Sequence, residues 1–204
     1  SIALCPARPK QLRIGIAMLV ALVVTMSPWW IRNAVLLKAF VPTTTQVGAS
    51  LYDGLHPGAT GASDMAFVPK ISQEFQASNA WQDQKASVPL EVALNRHFAQ
   101  RAIEFARENP ATVGKLAVTK FLRMWNIWPN EASLRSWPLR LFVAIGYVPI
   151  LVAALSGAWK FARRDWPYAL CLLPACYFTL LHMVFVGSIR YRQPPMLVLI
   201  VLAA

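Results

Sequence analysis

Residues 14–31, 141–159 and 166–189 contain no Asp, Glu, Lys or Arg, and this constrains the chain more than any other feature of its sequence. A helix needs about 20 apolar residues to cross a hydrocarbon layer about 30 Å thick, and each stretch approaches or exceeds that length. Buried helices of a water-soluble core usually keep a polar stripe on one side, and these stretches have none. Only 14% of the 204 residues are charged, against about a quarter in a soluble domain, and mean hydropathy is +0.43. A further apolar run, 194–204, reaches the end of the sequence before it is long enough to span. The expectation is an all-α, polytopic membrane protein fragment with about three complete spans and one truncated span. Its start at Ser1 rather than Met reads as a cut from a longer chain.

The charge is lopsided, with 20 Lys and Arg against 9 Asp and Glu for a formal net charge of +11. Such a surplus suits either nucleic acid or a membrane surface, and its position separates the two. Arg8, Lys10 and Arg13 precede the first apolar stretch, and Lys160, Arg163 and Arg164 fill the short connection between the second and third. Short basic segments beside spans lie on the cytoplasmic side, so no nucleic-acid partner is expected. The topology that follows has a cytoplasmic segment at 1–13, a span at 14–31 and an extracytoplasmic loop at 32–138. A returning span at 139–161, a cytoplasmic turn at 162–165, a span at 166–189, an outer turn at 190–193 and the truncated span at 194–204 complete it. All tryptophans except Trp81 lie at or near span ends, as rings anchored at headgroup level do. Arg190 and Arg192 depart from the cytoplasmic bias of basic residues, in a very short outer turn. Cys5 falls on the cytoplasmic side, and Cys171 and Cys176 fall inside a span with no other soft ligand beside them. A zinc site wants three or four convergent ligands, so no metal is assigned, and no cofactor either.

The outer loop has two parts. From Val41 to about Ser87 it is rich in Gly, Pro, Ser and Thr, with turn signals at Asp53-Gly54 and His56-Pro57-Gly58, and reads as loop. Helical periodicity returns with Leu90, Leu94, Phe98, Ala102 and Phe105 on one face, giving a helix near 89–108. Asn109-Pro110 restarts the pattern as cap and first-turn proline, and Val113, Leu116, Ala117, Phe121 and Met124 form the apolar stripe of a second helix near 110–127. Lys115, Thr119 and Arg123 oppose that stripe, as in a juxtamembrane helix lying along the bilayer surface.

The end of the first span reads Ser27-Pro28-Trp29-Trp30-Ile31-Arg32-Asn33, followed by Phe40-Val41-Pro42, Gly48 and Leu51-Tyr52-Asp53-Gly54-Leu55-His56-Pro57. Farther on come Phe105-Ala106-Arg107-Glu108-Asn109-Pro110, Lys120-Phe121 and Trp125, then His182, Gly187, Arg190-Tyr191-Arg192 and Pro195. In content and order these motifs resemble GT-C-fold glycosyltransferases of the dolichyl-phosphate-mannose-protein mannosyltransferase and bacterial aminoarabinose-transferase type. Gln46 and Ser50 stand where that family commonly has Asn, and Leu55-His56 replaces an Asn pair.

The resemblance implies transfer of a sugar from a polyprenyl-phosphate carrier to a protein or lipid acceptor at the outer face of a bacterial inner (plasma) membrane. The carboxylate that removes the acceptor proton would lie upstream of Ser1, so no residue of this chain is assigned as the base. Arg190, Arg192 and Arg32 are the candidates for the carrier phosphate, because a guanidinium presents a planar fork of donors with a fixed charge. Asp53, His182 and Tyr191 are candidates for the substrate cavity; Asp53 also suits a plain Asp-Gly turn, and His182 a bond between helices. Membrane lipid is a further expected partner. A secondary transporter, an O-antigen ligase or polymerase, and a non-catalytic membrane scaffold share the polytopic, basic character. A transporter would show broken spans aimed at a midplane site, for which Pro149 and Pro174 are the only support.

The topology has a direct check. Single cysteines placed at Ser63 and Ala162 are expected to react with a membrane-impermeant reagent from opposite sides of the membrane. Labelling from the same side would overturn the orientation.

Overall fold

The computed structural model describes residues 9–129, 136–161 and 166–203. The turn expected at 162–165, and most of the segment expected to be cytoplasmic at 1–13, lie outside the described residues. Among those described, the secondary structure is entirely helical. The chain divides into two compact units, one of Ser1–Thr45 with Glu74–Leu94 and one of Gln46–Gln73 with Asn95–Ala204.

The first unit is dominated by α1, Pro9–Leu37. Its residues Leu12–Leu37 are long and apolar enough to cross a membrane, and Met18, Val24 and Val35 are 70%, 64% and 69% exposed. Pro28 lies inside this helix and cannot donate to the carbonyl four residues earlier, at Val24. Ser27 Oγ donates to that same Val24 oxygen at 2.8 Å, supplying the bond that proline removes, as Ser and Thr do in membrane helices. Lys38 adopts a left-handed conformation with φ 48° just after the helix, which turns the chain back on itself. The returning loop is tied to α1 by Asn33 Nδ2, which donates to Val41 O at 2.9 Å, and by Trp30 Nε1, which donates to Pro42 O at 3.1 Å. The unit also holds α4, Asn79–Gln82, capped by the Ser78 hydroxyl, which accepts from Trp81 N.

The second unit begins with α2, Val47–Gly54. Helices α3, Phe67–Ala77, and α5, Leu90–Glu108, run across the division between the units. α6, Pro110–Trp125, starts with proline in its first turn, and α7, Trp137–Phe161, is the other helix long and apolar enough to cross a membrane. The helices α2, α3 and α4 occupy the stretch 41–87 that reads from sequence as loop. α2 has a poor helical sequence, with two glycines, a serine and an aspartate. Tertiary contacts hold it, with Ala49, Tyr52 and Asp53 buried and Gly48 N donating to Asn95 Oδ1 at 2.6 Å.

The stretch 166–189, expected as one span, is divided into α8, Trp166–Leu170, and α9, Leu172–Val184, with a turn at Cys171. Pro174 cannot donate to the Leu170 carbonyl, which accounts for a break at that point. Helical geometry stops at Val184. After an extended passage, a 3-10 helix at Ile189–Arg192 leads into α10, Gln193–Ala203. α10 packs on α7 through Ala154, Leu199 and Leu202, which are 1%, 6% and 2% exposed. The approach is close enough that a Cβ on Gly157 would run into the Leu202 carbonyl, whereas a Cβ on Gly146 of the same helix would meet nothing.

That contrast predicts opposite outcomes for one substitution. Gly157→Ala is expected to lower stability by about 1–3 kcal/mol through overpacking. Gly146→Ala is expected to be neutral or to raise it by up to about 1 kcal/mol through helix propensity. Thermal unfolding in detergent measures both, and equal midpoints would show that α7 and α10 do not meet at Gly157.

Candidate functional site

Lys120 of α6 is wholly buried, although lysine is almost never fully buried unless partnered. It lies between Leu116 and Met124 at spacings of four residues, so the helix carries a cation in the middle of its buried stripe. Its Nζ donates to Gly54 O at 2.8 Å and to Val184 O at 2.7 Å, joining the ends of α2 and α9 to α6. Desolvation pulls its pKa down to about 8, and the nearby Asp53 charge offsets part of that fall. Backbones come very close here. A Cβ on Gly54 would strike the Val184 and Phe185 carbonyls, and one on Gly187 would strike the backbone of Lys120. Gly61, at φ 82°, takes a conformation that L side chains rarely adopt, and its carbonyl accepts from Gly187 N at 2.9 Å.

Asp53 is 2% exposed, with Oδ2 accepting from Ser63 Oγ at 2.7 Å and Oδ1 from Asp64 N at 2.9 Å. Both bonds organise the loop that follows α2. Tyr52, beside it, stacks on His56 at 5.3 Å and meets Phe67 edge-on at 5.1 Å, with the Arg101 guanidinium 5.4 Å from its ring. Burial lowers the pKa of His56, and Asp53 and Asp64 work against that effect.

The segment after α9 carries the other candidates. His182 stacks face to face on Tyr191, with ring centroids 3.9 Å apart and an interplanar angle of 11°, while its Nδ1 lies 3.1 Å from Val186 O. Arg190 is exposed; its Nη2 donates to Tyr191 Oη at 2.9 Å and its guanidinium lies 4.9 Å from that ring. Arg192 is 6% exposed, sits 3.6 Å over the Tyr147 ring and donates through Nη1 to Asn126 O. The structure thus brings His182, Arg190 and Tyr191 together and gives Arg192 partners on α7 and just after α6. Arg32 belongs to the other unit, where it donates to Asn33 Oδ1 at 3.2 Å and lies 5.4 Å from the Trp29 ring. Among the described residues no three His, Cys, Asp or Glu side chains gather in a way that would hold a metal ion.

Lys120 is the residue that sequence reasoning left without a role. Its signal was the spacing Leu116, Lys120, Met124, which breaks an otherwise apolar stripe with a cation. No protein-family model, curated protein or solved structure matches this chain.

A pH dependence follows from the buried amine. The unfolded lysine holds its proton up to about pH 10.4, while the folded one releases it near pH 8, so between these values the unfolded state binds more protons. Stability is therefore expected to rise with pH across that window, by up to about 3 kcal/mol from this group alone. Comparing unfolding midpoints at pH 7.5 and pH 10 for the parent and for Lys120→Met checks it. The rise attributable to Lys120 should vanish in the variant, and an identical pH response in both proteins would disprove the burial.

Proposed function

We propose that the protein is a membrane glycosyltransferase of the GT-C type, which moves a sugar from a polyprenyl-phosphate donor to a protein or lipid acceptor outside a bacterial plasma membrane. In this reading 14–31 and 139–161 are spans, the helical part of 166–184 is a third, 194 opens another, and 32–138 faces outward. The acceptor hydroxyl oxygen bonds to the anomeric carbon, and the bond from that carbon to the carrier phosphate oxygen breaks. The phosphate leaves with the electron pair, and the hydroxyl proton passes to a carboxylate. The resemblance locates that carboxylate upstream of Ser1, so transfer is expected of a longer chain that includes it.

The observation that carries the proposal is the arrangement around Arg190. Its guanidinium is exposed, one edge is held by the Tyr191 hydroxyl, and Tyr191 is in turn stacked on His182. A cation held in place before charge develops stabilises a leaving phosphate without reorganising at the moment of reaction. Arg192, engaged with Tyr147 and the Asn126 carbonyl, anchors the turn from below.

Substitutions in the full-length protein separate these roles. Arg190→Ala is expected to reduce transfer from a polyprenyl-phosphate sugar by about 10²–10³, the loss typical of a preorganised donor, with membrane insertion unchanged. Arg190→Lys should retain part of the rate, since it keeps the charge but loses the fork. Parental rates in the Ala variant would remove Arg190 from the chemistry.

A further inference from the structure

The last turns of α1, the loop 41–45 that folds back over them, and Pro89 and Glu91 enclose an open pocket of about 450 Å³ within the first unit. That lies within the range of about 300–1,000 Å³ usual for small-ligand sites. Its lining combines Arg32, Asn33, Thr43, Thr44, Thr45 and Glu91 with apolar side chains.

Several bonds fix this shape before any ligand arrives. Asn33, 1% exposed, accepts from Arg32 Nη1 at 3.2 Å and donates to Val41 O at 2.9 Å, so one amide sets both the cation and the loop. Thr45 Oγ1 donates to Glu91 Oε2 at 3.3 Å, which orients the carboxylate. Glu91 stands in the first turn of α5, where the positive end of the helix favours its charge.

We propose that this pocket binds the phosphoethanolamine headgroup of a membrane lipid, with the phosphodiester on Arg32 and the ammonium on Glu91. The lining offers one cation and one anion, which match a zwitterion. A dianionic phosphate monoester would meet the Glu91 carboxylate with like charge. The Thr43 hydroxyl adds a donor for a phosphate oxygen. Leu37 in the lining is the last residue of α1, and the unsatisfied carbonyls at a helix C-terminus favour a nearby ammonium. Depth agrees as well. Arg32 is the first charged residue after the uncharged run 14–31 of a helix able to cross a membrane, which puts the pocket at the level of lipid headgroups. The site is independent of the proposed sugar transfer and gives Arg32 a lipid headgroup in place of the carrier phosphate that the resemblance implies.

Native mass spectrometry of the purified chain in detergent tests this, with phosphatidylethanolamine and phosphatidylglycerol of matched acyl chains as competing probes at equal concentration. The parent is expected to prefer phosphatidylethanolamine by about tenfold, the scale of one charge-assisted hydrogen bond. Glu91→Gln should abolish that preference while phosphatidylglycerol still binds, and Arg32→Gln should weaken both lipids by about tenfold. Because the preference is a ratio measured on one sample, a folding defect that lowers both adducts does not imitate it. Equal occupancy by the two lipids in the parent, or an unchanged preference in Glu91→Gln, would overturn the proposal. Displacement of the lipid by soluble glycerophosphoethanolamine, the same phosphodiester without acyl chains, at the same concentration would also overturn it, by making the ligand a soluble one.

Discussion

The buried Lys120 side chain joins the second unit at the point where three separate pieces of chain meet. Removing an ammonium from water is costly unless its donors are occupied and an opposite charge lies near. Here two carbonyl oxygens, from Gly54 and Val184, take up donors at 2.8 and 2.7 Å, and Asp53 supplies the opposing charge. The acceptors are backbone atoms at the ends of two helices, where carbonyls lack partners within the helix. The lysine and the helix ends therefore satisfy one another. This needs close backbone approach, which Gly54 and Gly187 permit because any Cβ there would collide with the opposing chain.

The geometry of the 182–192 segment follows from that anchor. With Val184 O bonded to Lys120, Gly187 N bonded to Gly61 O and Gly187 O accepting from Arg123 Nε at 3.3 Å, the chain leaves α9 in a fixed direction. Successive residues of the 3-10 helix that comes next are about a third of a turn apart, so Arg190 and Arg192 project differently. One is held under the surface by Tyr147 and Asn126, and the other is exposed with Tyr191. Two arginines that look equivalent in the sequence thus have different surroundings, and only one keeps its charge accessible.

Much of the helical content was legible, and the parts that were not have physical reasons. α5 and α6 could be read because apolar side chains recur at helical spacing and Asn109-Pro110 marks a boundary between them. α3 carries a comparable signal in Phe67, Ile71 and Phe75, obscured by the Gly- and Ser-rich sequence around it. α2 carries almost none, since it is held by burial and by the long-range bond from Gly48 to Asn95 rather than by propensity. The uncharged run 166–189 hid its break, because hydropathy is blind to the missing donor of Pro174. At the candidate site, residue type pointed to the arginines and His182. The burial of Lys120 depends on which face of α6 turns inward, and periodicity alone treats a lone lysine in a stripe as an exception rather than a centre.

The way cations are buried here also bears on the charge of the whole protein. Lys120 and Arg192 are partnered by carbonyl oxygens and, for Arg192, an aromatic face. Carbonyls and rings satisfy a cation without cancelling its charge. Asp53 is turned toward Ser63 and the Asp64 amide, and Glu91 accepts from Thr45, so these acids are engaged by neutral donors. The formal charge of +11 already sets every carboxylate against the cations, so it is the same however they are paired. A positive surplus of this kind raises the local concentration of anionic ligands and speeds their arrival, most of all at low ionic strength. Pairing decides only where the field is positive: Arg192, held by an aromatic face and a carbonyl, keeps a local positive field next to Arg190 in the sequence.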